Sequence, residues 1–383
     1  MKKLNVKQVL MNSAVPALFL IISLAVITPS GFEGGYIAEQ IMTRMVRNTF
    51  LVLALLLPIM AGMGINFALS LGAMAGQIGL IVVQGLGMAD TSGILAAVVI
   101  ALPIAVFLGF VAGAILNKAK GREMITSMML AFFITGVYQL VILFVFGTPL
   151  LPFNQNRSII LSKGYGVRNS MTLTTAGGFD NIFDNLLTNL LGSPLYIGDF
   201  KVPFATILLI ILLCFFTIWF RRTKLGQDMR AVGQDMEVAS TAGINVDRTR
   251  VIAVILSTVL ASIGQIIYLQ NVGTMNTYTG HDSAALYAAA ALLIGGASVA
   301  KATIPNAIFG TGLFHALFIL MPSAMTNITG NSMIGEYSRT FISYGIVTLA
   351  LVLHAWRKNK EREYERSSLR RNAPQAVLTK PGN

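Results

Sequence analysis

The sequence predicts an all-α, polytopic integral membrane protein with about ten transmembrane helices, some of them broken at glycine-rich segments. Of its 383 residues, 55% are hydrophobic and only 11% are charged, and the mean hydropathy is +0.70. A soluble domain carries about 25% charged residues. The formal charge of +12 comes from basic residues at the ends of apolar runs, not from one patch interleaved with aromatic residues. This pattern indicates membrane topology and excludes a nucleic-acid-binding domain.

A window of about 20 apolar residues per span finds the candidate transmembrane segments. The first follows Lys2, Lys3 and Lys7 and has the length of a signal-peptide core, but the sequence near Thr28 lacks a convincing small-residue cleavage site, which favours an uncleaved helix. The third and eighth are short for a membrane core of about 30 Å, so we expect them to be tilted, broken or re-entrant. The ten segments are Ser13–Thr28, Asn48–Leu69, Gly72–Gly87, Gly93–Leu116, Met124–Phe146, Val202–Phe220, Val251–Leu269, Ser283–Ile294, Ile304–Met321 and Phe341–Trp356.

The positions of lysine and arginine predict the orientation. When the chain is threaded from a cytoplasmic N-terminus, most basic residues fall on the cytoplasmic side, as the positive-inside rule requires. Both termini are then cytoplasmic. The transmembrane domain covers residues 1–356, with 147–201 as a long extracytoplasmic loop and 221–250 as a cytoplasmic loop. Residues 357–383 form a basic tail that we expect to be solvated and partly disordered.

The outer loop contains the stretch FDNIFDNLLTNLL, in which apolar residues recur at spacings of three and four from Phe179 to Leu191. This spacing predicts an amphipathic helix, with Asp180 available as its N-cap. The helix would pack on the membrane interface or on the outer helix ends, or it would offer a platform to an external partner.

The cytoplasmic loop contains a polar run from Gly226 to Arg250 that predicts a short surface helix. Asp235 is a good N-cap, Glu237 places negative charge in the first turn, and Gly243 can end the helix in a left-handed conformation. Two interpretations are open from the spacing: a docking knob for another protein, or a solvated linker with one helical turn.

Several kinds of chemistry have no support in the sequence. No Asp or Glu lies in the interior of a predicted span, which argues against an ion-coupled carrier, and His315 is the one ionisable group expected inside a span, where a packing role is the simpler interpretation. There is no G-x-x-x-x-G-K-[ST] loop to bind ATP. The three histidines are scattered and Cys214 is the single cysteine, so we predict no catalytic residues, no metal site and no disulfide.

Two glycine-rich stretches lie at membrane depth, Gly62–Gly79 and Ile294–Gly312, in opposite halves of the chain. Glycine and proline at this density allow the discontinuous helices that surround a translocation path. The alternative is close helix packing of the small-xxx-small kind, which would also account for Gly109 and Gly113.

Uncharged polar side chains inside the spans are candidates for the lining of such a path. Amides and phenols suit a neutral hydroxylated solute, such as a sugar or nucleoside, better than a free amino acid, whose two charges would need compensating groups. The candidates are Asn66, Ser70, Gln77, Gln84, Tyr138, Gln139, Gln265, Tyr268 and Asn271.

Four stretches resemble a known family. TKLGQDMRAVGQDMEVASTAGINVDRTR and the later ALYAAAALLIGGASVAKATIPNAIFGTGL are similar to the C-terminal half of ABC importer permeases of the branched-chain amino acid and ribose type. MGINFALSLGAMAG resembles the family's first glycine-rich segment, and REMITSMMLAFFITGVYQ is similar to its nucleoside and sugar members. Together the matches touch most of residues 48–350. The outer loop is longer than in ribose-type permeases, and Asn66 stands where many sugar members carry Asp.

The resemblance implies a permease pair, formed with the same or a related chain, in the plasma (inner) membrane of a prokaryote. ATP-binding subunits would clamp the pair and an extracytoplasmic solute-binding protein would feed it. ATP and Mg would sit on the ATP-binding subunits and no cofactor on this chain. The helix at Asp235 would be the coupling helix, with Arg230 and Glu237 contacting the motor and the glycines shaping the loop. The residues carried over are Gly226, Arg230, Gly233, Glu237, Ala239, Gly243 and Ile244.

The sequence therefore predicts a permease subunit of an ATP-driven importer for a monosaccharide or nucleoside. Two alternatives are open, and a third is disfavoured. A branched-chain amino acid permease of the same family would differ only in its solute. A stand-alone facilitator or channel would need no ATPase partner. A membrane scaffold is disfavoured, because broken helices at membrane depth are costly unless they line something.

Overall fold

The computed structural model is predominantly helical. It describes residues 6–88, 90–148, 159–161, 165–173, 182, 196–197, 200–201, 203–342, 344–345, 348 and 352. The helices are α1 (Val6–Ser30), α2 (Gly34–Ala54), α3 (Leu56–Met60), α4 (Leu69–Gly85), α5 (Asp90–Lys118), α6 (Glu123–Phe144), α7 (Phe204–Phe220), α8 (Lys224–Gln234), α9 (Met236–Thr241), α10 (Val246–Val272), α11 (Asp282–Ile294) and α12 (Ile304–Thr329), followed by helical residues 332–342, α13.

The helices match the predicted apolar segments in order, each of the first nine segments overlapping a helix. Five helical stretches of the described chain are long and apolar enough to cross a membrane, and six if α7 and α8, bent by 74°, form one span. The third and eighth segments are short, as predicted: α4 has 17 residues and α11 has 13. The tenth segment and the 357–383 tail lie largely or wholly outside the described residues. A total of ten spans stays a prediction.

The second predicted segment was placed wrongly. A nearly continuous helical stretch runs over Gly34–Met60, and residues 61–68, which were predicted to be helical, form turns instead. Arg44 and Arg47 therefore lie within α2 and not in an outer loop. The sequence window excluded them because they are charged, but both are partly buried, with the Arg44 guanidinium over Phe318 and that of Arg47 over Tyr268.

Helix α10 is the centre of the bundle and packs against α2, α4 and α5. Glycines make this packing close. A Cβ added at Gly72 on α4 would lie 2.8 Å from the Ala261 Cβ on α10, and one added at Gly109 on α5 would lie 2.9 Å from the Ile255 Cα. Ordinary carbon contacts lie at 3.5–4.0 Å. The small-xxx-small interpretation is therefore correct for this part of the chain.

The two glycine-rich stretches also break helices. Between α3 and α4, Gly62 and Gly64 have φ of +75° and +69°, and between α11 and α12, Gly296 has φ of +85°. L-residues with side chains rarely adopt this conformation. Some glycines of these stretches therefore break helices and others bring helices together, while the translocation path around them stays a prediction.

Short antiparallel strands lie in the 147–201 segment and after α10. β1 (Ser170–Thr172) pairs with β4 (Thr274–Asn276), Met171 lying opposite Met275, and β2 (Tyr196–Ile197) pairs with β3 (Phe200–Lys201). The β1–β4 ladder attaches the 147–201 loop to the end of α10. The predicted amphipathic helix falls outside the described residues except for Ile182, which is buried.

Large apolar side chains remain exposed on the outside of the bundle. Phe107 on α5, Phe133 on α6 and Phe215 on α7 are 64%, 70% and 67% exposed. Exposed aromatic faces of this extent are expected where a helix meets lipid or another membrane subunit.

Candidate functional sites

The 221–250 segment is mostly helical, which the sequence interpretation missed. Helix α8 begins at the N-cap Thr223, whose Oγ1 accepts a hydrogen bond from the Gly226 N–H at 3.2 Å. Met229 and Val232 are buried, and Met229 packs in a small core with Leu57 of α3. The signal was present in the sequence, because Leu225, Met229 and Val232 recur at helical spacing.

The glycines of α8 were predicted to shape a loop. They lie instead at close contacts between helices. Gly226 lies against the Phe220 carbonyl at the end of α7. Gly233 lies against the Met60 carbonyl at the end of α3, where an added Cβ would come within 3.1 Å of the Gly62 nitrogen. Helix α8 is therefore seated on the ends of two apolar helices, so the linker interpretation is wrong for this part of the segment.

Helix α9 has the predicted end structures. Asp235 is the N-cap, and its Oδ1 accepts hydrogen bonds from the N–H groups of Glu237 at 2.9 Å and Val238 at 3.1 Å. Gly243 has φ of +83°, and Ile244 closes the end by donating its N–H to the Ala239 carbonyl at 3.0 Å. Ala239 is the buried residue of the helix.

The opposite surface of this region is exposed in the part of the chain that the structure describes. Glu237, Val238 and Ser240 on α9 and Arg230 on α8 are exposed, Val238 by 63%. Beside them lies an open groove between α3, α7, α8 and residues 300–303, with Arg221, Arg230 and Lys301 among its lining residues.

We expect Asp235→Ala to loosen α9 by about 1 kcal/mol, because two backbone N–H groups lose their acceptor. Amide hydrogen exchange should become faster at Glu237 and Val238 and stay unchanged in α10. Asp228→Ala, a change of the same charge inside α8, is the matched control. Unchanged protection of α9 in the Asp235 variant would contradict the prediction.

A buried ion pair lies where this region meets the bundle. Arg250 on α10 is fully buried, and its Nη2 donates to Oε1 of Glu123, the first residue of α6. The sequence analysis placed Arg250 at the end of the polar cytoplasmic run and placed no Glu in the interior of a predicted span. The partners are 127 residues apart in the chain, so no local sequence pattern indicated the pair.

The predicted path residues separate into groups. Gln77 and Tyr138 come together: Gln77 Nε2 donates to the Tyr138 hydroxyl oxygen at 3.1 Å and to the Thr277 carbonyl at 2.6 Å, and Tyr138 donates to the same carbonyl at 2.5 Å. Gln139 donates to the Tyr278 carbonyl at 3.4 Å. These side chains hold the segment after β4 against α4 and α6, which is a structural role.

Four other predicted path residues do not join that group. Asn66 accepts a hydrogen bond from the Ala68 N–H, and Ser70 donates to the Phe67 carbonyl, so both serve the turn before α4. Gln84 is fully buried, and its amide has no hydrogen-bond partner among the described residues. Asn271 lies in the last turn of α10.

Gln265 and Tyr268 line a polar cleft between α2, α10, α11 and α12. Asn48, Ser283 and His315 share the cleft, and the Arg47 guanidinium lies over the Tyr268 ring at 5.6 Å. His315 is 6% exposed, and its Nδ1 has no partner within the described chain. The cleft has room for about one water molecule in this conformation. Sequence reasoning missed Arg47, Asn48 and Ser283 as neighbours of this cleft.

We expect Tyr138→Phe to destabilise the protein by about 1–2 kcal/mol, because the hydroxyl loses the hydrogen bond that it donates to Thr277 and the one that it accepts from Gln77. Gln77→Leu should cost more, because Nε2 serves several acceptors. Thermal unfolding in detergent measures both. Gln139→Leu, which removes a single long hydrogen bond, should be nearly neutral. A Gln77 variant as stable as the Gln139 variant would contradict the ranking.

In the described part of the chain, no three His, Cys, Asp or Glu residues form a group that could hold a metal ion.

Comparison with known proteins identifies the family. The family model described as "Branched-chain amino acid transport system / permease component" matches residues 37–353. The chain is 26% identical over 171 residues to a xylose transport system permease protein of Haemophilus influenzae, covering 44% of each chain. It is 25% identical over 283 residues to a fructose import permease protein of Bifidobacterium longum, covering 73% of this chain and 71% of that one.

A nucleoside ABC transporter permease protein of Lactococcus lactis is 26% identical over 204 residues, which are 52% of this chain and 50% of that one. The matches thus span about half of the xylose and nucleoside permeases and more of the fructose permease. No solved structure matches the chain significantly. Since the family model covers most of the sequence and the helices follow the predicted apolar segments, the chain belongs to the family of branched-chain amino acid transport system permease components.

Proposed function

We propose that this chain is the membrane-spanning permease subunit of an ATP-binding-cassette importer that moves a monosaccharide or nucleoside into the cell. The observation that carries the proposal is the exposed, capped helix α9, which stands between the seated helix α8 and the central helix α10. A capped helix with exposed residues, joined directly to the central helix, is suited to receive force from another subunit.

The ATP-binding subunit would transmit its motion to the permease through this region. Arg230 and Glu237 offer charges of both signs to a partner, and the exposed Val238 offers an apolar contact beside Glu237. Gly226, Gly233, Ala239, Gly243 and Ile244 support the exposed residues from behind through the contacts described above. The sequence has no phosphate-binding loop, so ATP and Mg would belong to a separate ATP-binding subunit.

The remaining subunits and the topology follow the same proposal. Both termini and the 221–250 segment would face the cytoplasm of a prokaryotic cell, and the 147–201 loop would face outward, towards an extracytoplasmic solute-binding protein. The exposed apolar faces of the bundle would meet lipid and a second permease chain. Basic residues on α8 and at 221–224 support this orientation.

The cleft at Gln265 and Tyr268 is the candidate binding site for the solute. Its amide, hydroxyl and imidazole groups can exchange hydrogen bonds with a hydroxylated ring, and Tyr268 offers an aromatic edge. A monosaccharide is larger than the space present, so the cleft must open during transport. The named solutes of the xylose, fructose and nucleoside permeases support a neutral hydroxylated cargo.

Copurification in mild detergent tests the class of protein, because an importer should bring down an ATP-binding subunit. Reconstituted with that subunit and the solute-binding protein, the complex should take up one of labelled ribose, xylose, fructose or adenosine only when MgATP is supplied. Uptake of leucine instead would favour a branched-chain amino acid permease. Uptake without any ATP-binding subunit would contradict the proposal and support a facilitator.

A charge reversal on α9 tests the site. Glu237→Lys should weaken recovery of the ATP-binding subunit by about tenfold, the effect of losing one charged contact of roughly 1.4 kcal/mol. Glu39→Lys makes the same change at an exposed position on α2, at the other end of the bundle, and should have no effect. Equal recovery with both variants would place the contact elsewhere.

A further inference from the structure

The buried guanidinium of Arg250 joins three helices. Nη2 donates to Glu123 at the start of α6, and Nη1 donates to the sulfur of Met236, the first residue of α9, at 3.1 Å. Arg250 itself lies in the second turn of α10. The helix that would receive force, the central helix and α6 therefore meet at one side chain.

A second, exposed set of contacts ties the same region to the α5–α6 turn. Lys120 Nζ lies 2.6 Å from Asp247 Oδ1, and Asn117 Nδ2 donates to the Asp247 carbonyl at 2.8 Å. This pair joins α10 to the α5–α6 turn but does not reach α9. Its side chains are 45% and 66% exposed, so water weakens the attraction.

Stability does not explain why a charged group occupies the buried position. Removing an arginine and a carboxylate from water costs several kcal/mol per ion, and well-packed apolar residues of similar volume would often hold the helices together equally well. An ion pair fixes one relative position of its partners, because both its direction and its length are restricted, whereas apolar contacts can slide.

We propose that Arg250 is a positioning residue that makes α9, α6 and α10 move as one body when the ATP-binding subunit displaces α9. This rests on the proposed function. The displacement reaches α10 covalently through residues 242–245, and it reaches α6 through Met236, Arg250 and Glu123. Helix α6 in turn carries Tyr138, which holds the segment after β4. The contact thus connects the α9 end of the bundle to the end that carries the β1–β4 ladder.

The test uses variants that leave no buried charge unpaired. Glu123→Gln combined with Arg250→Met removes both charges at similar volume. Met236→Leu leaves the ion pair intact and removes only the sulfur acceptor. Lys120→Ala is the matched control, because it breaks the exposed pair between the α5–α6 turn and α10.

The measurement is the distance between spin labels at Thr241 on α9 and Met129 on α6, both exposed, in a Cys214→Ala chain assembled with its ATP-binding subunit in nanodiscs. MgATP with vanadate should leave this distance unchanged in the parent chain and in the Lys120 variant, because the two helices move together. In the double variant the distance should shift on trapping, and in the Met236 variant it should shift by a smaller amount.

ATP hydrolysis provides a second readout. Stimulation by the solute-binding protein should fall by about tenfold in the double variant, the size of an ordinary coupling between two sites, with unchanged copurification of the ATP-binding subunit. A trapped distance in the double variant equal to that of the parent, or a shift already present in the parent, would overturn this inference alone. Failure of the parent chain to bring down any ATP-binding subunit would overturn the proposed function together with it.

Discussion

Replacing Arg250 alone by methionine should destabilise the protein by about 3–5 kcal/mol, the usual cost of removing one member of a buried ion pair. The cost arises because Glu123, whose side chain is 11% exposed, loses the guanidinium that compensates its charge. The carboxylate must then stay charged in a poorly solvated place or take up a proton. We expect a large drop in the thermal midpoint of the purified chain and a lower yield of folded protein.

A second substitution, at Glu123, shows whether the uncompensated charge causes the loss of stability. Adding Glu123→Gln to Arg250→Met should restore most of the lost stability, because the uncompensated charge is gone. Lys120→Ala, at the exposed pair, should cost less than about 1 kcal/mol. A double variant as unstable as the single one would show that the arginine acts through packing and not through charge.

Gly76→Val should separate α4 from α10 and cost about 3 kcal/mol, at the upper end of the usual cost of overpacking a core. The Gly76 position lies against the Ser262 carbonyl, and an added Cβ would also come within 3.3 Å of the Gln265 Cβ. The obstacle is mainly helix backbone, so no side-chain rotation can make room.

The matched control is Gly136→Val on α6, where an added Cβ meets nothing within 4 Å. Both variants replace a glycine within an apolar helix by the same residue, but Gly76 is buried and Gly136 is exposed. Size-exclusion profiles and thermal unfolding should show loss of folded protein for Gly76→Val and little change for Gly136→Val. Equal behaviour would contradict close α4–α10 packing as the reason for the glycine.

Local sequence patterns were sufficient to predict that the apolar segments are helices. An apolar run long enough to cross a membrane must satisfy its own backbone hydrogen bonds, so it is helical whatever surrounds it. The cap at Asp235 and the left-handed Gly243 were also predictable, because each acts within a few residues of the chain. Helix α8 was missed although its apolar spacing was present, because the polar composition of the segment was taken for a loop.

Charged residues misled the interpretation where their partners are distant. Arg44 and Arg47 shifted the predicted start of the second span. A hydropathy window counts their charge but takes no account of distant residues, and the aromatic rings of Phe318 and Tyr268 lie beside them. Arg250 was counted as a surface charge for the same reason. Among the predicted path residues, only Gln265 and Tyr268 reach the cleft, and Gln77 and Tyr138 are occupied by backbone carbonyls.

The sequence by itself determined the membrane class, the order of the helices, the short third and eighth segments and the capped helix α9, because composition and contacts within a few residues decide these features. Only the tertiary structure decided which glycines bring helices together, which polar side chains share the cleft, and that Arg250 joins α6, α9 and α10. These depend on contacts between residues far apart in the chain, and their energies depend on burial, which exists only once the helices have packed.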